Sequence, residues 1–332
     1  MAAYLSRLHH ISLHVRNVDK IAHELVSKFK FNLFVARLTE KSKQLAFRKG
    51  AAIFVVNERP NKSPVEWNGV TLSRSTGDCP SESQPGPTNT DWTCLYDVQP
   101  HYSVDTASNV CFQVDDVEKS FKSLRQLGCE FLVSPTQVCD DQGLVTYSVV
   151  KSIVGNVNHT LIDTSKYKGS FLPGFREVEN GTENDTAVTK GTESCPITHF
   201  DHITYACPRR CTPQVMRWYE RHFGFQRFFI HSNEDVDEGY VLNEEDIGLR
   251  LTAMEYWKCS KTGIELPFTD KKEPDCKFVI AESLPEQDLT AHLTPDCTMD
   301  DMVGKQQEME DAGYDPQMLS GHGILLDTDL RQ

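Results

Sequence analysis

No apolar run in these 332 residues approaches the roughly 18 to 20 needed to cross a bilayer as a helix, so no transmembrane segment is expected. Positive charge is scarce as well. The 34 Lys and Arg stand against 48 Asp and Glu, a formal net charge of −14. Nucleic acid and anionic membrane surfaces carry the same sign, so neither is an expected partner. A glycine-rich phosphate loop, a nucleophile elbow and a Cys-X-X-Cys pair are all missing, and this disfavours nucleotide cofactors. No signal-peptide core is visible, so the Asn-X-Ser/Thr triplets at Asn61, Asn158, Asn180 and Asn184 read as chance. The 11 cysteines are scattered singly, with Cys207 and Cys211 the nearest pair. An odd number without framework spacing points to reduced thiols in a reducing compartment.

What is present describes a soluble globular protein of two domains, 39% apolar and 25% charged. The apolar deficit sits in two places. Residues 58–107 are rich in Pro, Ser, Thr, Asp and Asn and read as a polar surface insertion. Residues 176–196 read as a linker, which divides the chain into an N-terminal domain, 1–175, and a C-terminal domain, 197–332.

The two parts begin alike. Leu8-His9-His10-Ile11-Ser12-Leu13-His14-Val15 aligns with His199-Phe200-Asp201-His202-Ile203-Thr204-Tyr205-Ala206, with His10 over His202. Each opening precedes an amphipathic stretch. Asn17 or Asp19 caps the first, whose apolar residues are Ile21, Leu25, Val26 and Phe29. Val215, Trp218, Tyr219 and Phe223 repeat at similar spacing in the second. Strand-like segments follow in both. The first half then runs the unit again: a strand at Val110–Val114, a cap at Asp115 or Asp116, and a helix with Val117, Phe121, Leu124 and Leu127 on one face, closed by Gly128. Strands at 146–150 and 159–162 come next, with Gly143 and Gly155 as turns. One such unit cannot bury its sheet alone. Two together form a curved sheet around a cavity. The expected fold is α+β, with paired strand-helix-three-strand units in each half.

Among 12 histidines, His202 has a stated reason for a role. It starts a strand of the duplicated unit, where a neutral imidazole suits Fe(II), Zn(II) or Mn(II). Asp201 either orients it or turns to solvent. His10 holds the matching place with no partner set in view, and reads as a structural relic of the duplication.

Between the halves stands Tyr167-Lys168-Gly169-Ser170-Phe171-Leu172-Pro173-Gly174-Phe175. Two glycines and a proline fix a bent connector, and its phenylalanines can pin it to a core. On this run, and on 8–15, 44–58, 109–128, 200–204, 248–253, 281–285 and 323–327, the chain resembles the 4-hydroxyphenylpyruvate dioxygenase family, especially its vertebrate dioxygenase-like branch. The resemblance implies tandem vicinal-oxygen-chelate modules forming two half-open barrels, the first metal-free. It implies Fe(II) held by two histidines and a glutamate, with 4-hydroxyphenylpyruvate and O2 as substrates and 4-hydroxymandelate or homogentisate as product. It further implies a mitochondrial location, with a cytoplasmic one as alternative; Arg7 and Arg16 in an acid-poor start match that bias, while composition alone favours reading the same residues as the first strand of the first domain. The family's first iron histidine maps onto His202. Near the second, the gapless match puts Leu289, and His292 is the one imidazole close by; it serves only if its strand slips by an odd offset. The family's glutamate lies on a strand beyond 323–327, and neither Glu308 nor Glu310 stands in for it. The second barrel is therefore expected to be incomplete, as in a shortened isoform. A homo-oligomer is left open, and so is a non-catalytic binding role.

Overall fold

The computed structural model describes residues 5–39, 42–58, 94–99, 104–178, 197–232, 234–244, 247–256, 276–284 and 324–325. Strand β1 (Leu5–Val15) passes into helix α1 (Val18–Ser27) through Asn17. The extended Asn17 accepts the backbone N–H of Lys20 at 2.9 Å, which satisfies one orphan donor of the first turn. Val18 and Leu25 face the core, with Ile21 and Ala22 half-buried between them. Val26 and Phe29, expected on this stripe, are exposed instead. Val26 lies at the edge of the arc, and the helix ends at Ser27 before Phe29 can come round. Phe31 takes the buried place, after a left-handed Lys30 turns the chain.

Strands β2 (Asn32–Leu38), β3 (Lys43–Lys49) and β4 (Ala52–Glu58) fold back on one another, and β4 lies parallel to β1. The unit then repeats as β5 (Thr106–Val114), α2 (Val117–Gln126), β6 (Phe131–Asp140), β7 (Gly143–Lys151) and β8 (Asn158–Tyr167), with β8 parallel to β5. Asp116 caps α2 on the N–H of Lys119 at 2.9 Å. Strands β1 and β5 pair antiparallel and join the units into one sheet. With β9 (Arg176–Glu177) on its edge, the order is β6-β7-β8-β5-β1-β4-β3-β2-β9.

A third unit opens with β10 (His202–Ala206) and α3 (Thr212–Phe223). Its second strand is interrupted: β11 (Gln226–Phe228) and β12 (Tyr240–Glu244) both pair with β13 (Ile247–Tyr256). Strand β14 (Cys276–Ser283) lies parallel to β10, as β4 does to β1. Strand β15 (Ile324–Leu325) lies antiparallel to β10, as β5 does to β1. The rest of the expected fourth unit lies outside the described residues. Register confirms the alignment of the two openings. Ile11 pairs with Phe54, and Ile203 pairs with Phe278. Phe31 meets Phe54 at 5.4 Å between ring centroids, and Phe225 meets Phe278 at 4.6 Å.

The helix-bearing faces of the two sheets share one core. Phe112 of β5 lies 6.0 Å from Phe278 and 6.1 Å from Phe223. His159 of β8 receives the hydroxyl of Tyr219 from α3 at 2.8 Å on Nε2, because Nδ1 donates to the Val110 carbonyl. Gly50 accounts for another contact: the Thr198 carbonyl accepts the N–H of Ala51 at 2.6 Å, and a Cβ at Gly50 would stand 2.2 Å from that oxygen.

The other face of the first sheet curls around Leu95, Tyr96, Phe171, Leu172 and Phe175. The connector phenylalanines do pin to a core, and the Tyr96 hydroxyl donates to the Pro173 carbonyl at 3.0 Å. Leu95, Tyr96 and Asp97 correct the reading of 58–107 as surface, since all three are buried. A three-residue plug between polar neighbours is invisible to averaged composition.

Candidate metal centre

Strand alternation sets what His202 shares a face with. Ile203 and Tyr205 enter the common core, so His202 and Thr204 lie on the opposite side of β10. Register places Lys277 beside His202, Val279 beside Thr204 and Ala281 beside Ala206 on that face. The His202 ring donates from Nδ1 to Asp201 Oδ2 at 2.9 Å, because an ionised carboxylate only accepts. In the neutral ring Nε2 then carries the lone pair that a metal takes. Lys277 reaches the other Asp201 oxygen at 3.3 Å. The hydrogen bond from His202, with Lys277 adding to it, holds the Asp201 carboxyl below its ordinary range. Asp201 thus orients the ring and also meets solvent, at 48% side-chain exposure.

His292 lies outside the described residues. Among the described residues, the group of three donors close enough for one ion is His9, His10 and Cys111, and it does not include His202. The expectation that His10 has no partner set is therefore corrected. Its register partner Cys111 faces it from β5, and a bulge in β1 between Leu8 and His10 turns His9 to the same side. The two Nδ1 atoms stand 2.8 Å apart. Burial, with Arg7 and Arg48 adding to it, lowers the pKa of His9 to about 3. Burial, then His9 itself, lowers that of His10. Sequence offered one signal, the His9-His10 doublet. Cys111 joins it only through strand pairing.

Further along the same face runs a buried polar network. His14 meets Asp97 at 2.8 Å, and Asp97 also accepts from Asn109 at 2.6 Å and from the Val98 N–H at 2.7 Å. Asn109 donates to Thr160, whose hydroxyl caps the Tyr96 carbonyl at 2.7 Å. At the mouth of this sheet opens a cavity of about 430 Å³, with Arg7, His9, Arg48, Tyr167, Phe171 and Phe200 among its lining. No Asp or Glu among the described residues lines it.

Two such units side by side, curled into a half-barrel with a candidate metal histidine on the first strand, define the vicinal-oxygen-chelate class. A solved mutant of 4-hydroxymandelate synthase from Streptomyces coelicolor shares this fold, with a TM-score of 0.52 over 93% of this chain and 75% of that one, at 16% identity. No family model matches the chain. The 4-hydroxyphenylpyruvate dioxygenase-like protein of Rattus norvegicus is 32% identical across 99% of this chain and 85% of its own length. The 4-hydroxyphenylpyruvate dioxygenase of Dictyostelium discoideum is 28% identical across 41% of this chain and 36% of its own. The chain belongs to the family of 4-hydroxyphenylpyruvate dioxygenases and dioxygenase-like proteins.

Proposed function

We propose that this chain is a mononuclear non-haem Fe(II) dioxygenase that converts 4-hydroxyphenylpyruvate and O2 to 4-hydroxymandelate and CO2. The observation that carries the reading is the Asp201–His202 pair at the head of β10, in a chain so similar to a dioxygenase-like relative. His202 fits one position of an iron centre, and the proposal takes His292 as the second ligand. Among the described residues, no group of three close donors includes His202. Bound iron supplies the activation of oxygen. The chain's part is to hold Nδ1 of His202 on Asp201, which fixes the ring. On the same reading the chain works in the mitochondrion, and imaging of the tagged full chain tests that placement.

An oxygen electrode and mass spectrometry of the products test the chemistry. With Fe(II) and 4-hydroxyphenylpyruvate, O2 loss matched by 4-hydroxymandelate is expected, and His202→Ala should abolish both. Homogentisate as the sole product reverses the product assignment. Ligand binding without O2 uptake supports a second reading, a non-catalytic binding protein.

A further inference from the structure

We infer that the concave face of the first sheet holds a metal site of its own, with the His9 and His10 imidazoles and the Cys111 thiolate as protein ligands and zinc as the metal it suits. Three observations converge. The ligand atoms of these residues all lie within 4.8 Å of one another. The bulge in β1 turns two consecutive side chains to one side, which a regular strand forbids. Phe171 flanks both rings, at 5.5 and 5.9 Å between centroids.

The geometry asks for shifts of up to about one ångström. Around a tetrahedral zinc with bonds of 2.0 to 2.3 Å, ligand atoms stand about 3.3 to 3.6 Å apart. The two ring nitrogens at 2.8 Å must part by about half an ångström. Donor type selects the metal. Two imidazoles and a thiolate, without a carboxylate, suit zinc over magnesium or calcium.

Loading balances as follows. The proton shared by the two Nδ1 atoms moves to Nε2 of its own ring, so both Nδ1 lone pairs face the metal. The Cys111 S–H bond breaks, the sulfur–zinc bond forms, and one proton leaves to solvent. No electron changes hands. Thiolate and zinc together keep one positive charge, next to Arg7 and Arg48. Because His9 lines the cavity, the fourth position opens there and takes an anion, hydroxide or a small carboxylate. That anion cancels the remaining charge and meets the two guanidinium groups.

The test uses the full chain, reduced and metal-free, carrying His202→Ala so that the centre on β10 loses its imidazole. Titration with Co(II) should give one ion per chain and a thiolate-to-cobalt charge-transfer band, bleached by Zn(II). Adding Cys111→Ser should remove the band and leave the circular dichroism spectrum unchanged. Should that variant fail to fold, His9→Gln, at a half-buried position, is the second variant and should lose the tetrahedral cobalt spectrum. No band in His202→Ala overturns the inference. So does a band that survives Cys111→Ser, or a cobalt spectrum untouched by His9→Gln. Because His202 is absent throughout, failure here leaves the dioxygenase reading intact, and failure of that reading leaves this one.

Discussion

In the first sheet β1 and β5 lie side by side, and each brings a complete strand-helix-three-strand unit. In the second sheet β10 brings one such unit, and its other neighbour is the two-residue β15. The concave faces differ in the same sense. The first is filled by Tyr96, Phe171 and Phe175 over a polar network, while Lys277, Val279 and Ala281 stand beside the strand of His202 on the second. Helix starts differ too. Asn17 and Asp116 cap α1 and α2 from the preceding residue. Helix α3 begins at Cys211 without a side-chain cap of its own. Its first turn is held from β14, where the buried Glu282 carboxylate accepts the Thr212 N–H and hydroxyl at 2.6 Å and the Arg210 N–H at 2.9 Å. One ancestral plan thus relies on local contacts in the first half and on distant ones in the second.

Four measurements sharpen or break that contrast. Phe278→Ala empties the centre of the shared core and should cost about 3 to 5 kcal/mol in chemical denaturation. Its counterpart Phe54→Ala should cost less, because the Phe54 site is wetter and its ring meets Phe31 and Phe200 rather than the Phe112 ring. Equal losses would mean that the second sheet leans on the first no more than a repeat of itself.

The next effect is on pH dependence. Burial holds His159 at a pKa of about 4, below its ordinary 6.5. As pH falls, the unfolded chain takes up the proton first. Stability present at pH 7 is therefore lost from about pH 6.5 down to about pH 4, roughly 3 kcal/mol in all. The gap between denaturation curves at pH 7 and pH 4.5 should narrow by about 2 to 3 kcal/mol in His159→Phe, the remainder belonging to groups such as His9 and His10, and an unchanged gap would assign the whole loss to those groups.

Glu282→Ala strands three donors at the start of α3 and should cost about 2 to 3 kcal/mol. Asn17→Ala should cost about 1 kcal/mol. Hydrogen exchange should show α3 fraying in the first variant and α1 in the second. Protection of α3 that survives Glu282→Ala would show that its start is held some other way.

Much of the fold was legible because its signals are local. The caps at Asn17 and Asp116, the apolar periods of α2 and α3, and the glycine turns all sit within a few residues of what they control. The alignment of His10 with His202 was legible for the same reason, and strand register bears it out. Other features were not. Leu95 and Tyr96 are an apolar pair inside a polar stretch, and only the curl of the sheet reveals that they fill it. Val26 and Phe29 carry the right residue type, yet the length of α1 leaves them in solvent. Cys111 looks like any strand cysteine until β5 is set against β1.

Residue order alone determined the repeated unit, the starts of α1 and α2 and the imidazole at position 202, since these depend on spacing within a turn or a strand. The tertiary structure decided which side chains meet across strands: Glu282 with the start of α3, His159 with Tyr219, and Cys111 with His9 and His10. Such meetings join residues 60 to 102 positions apart, and no local pattern encodes them before the sheets pair and pack.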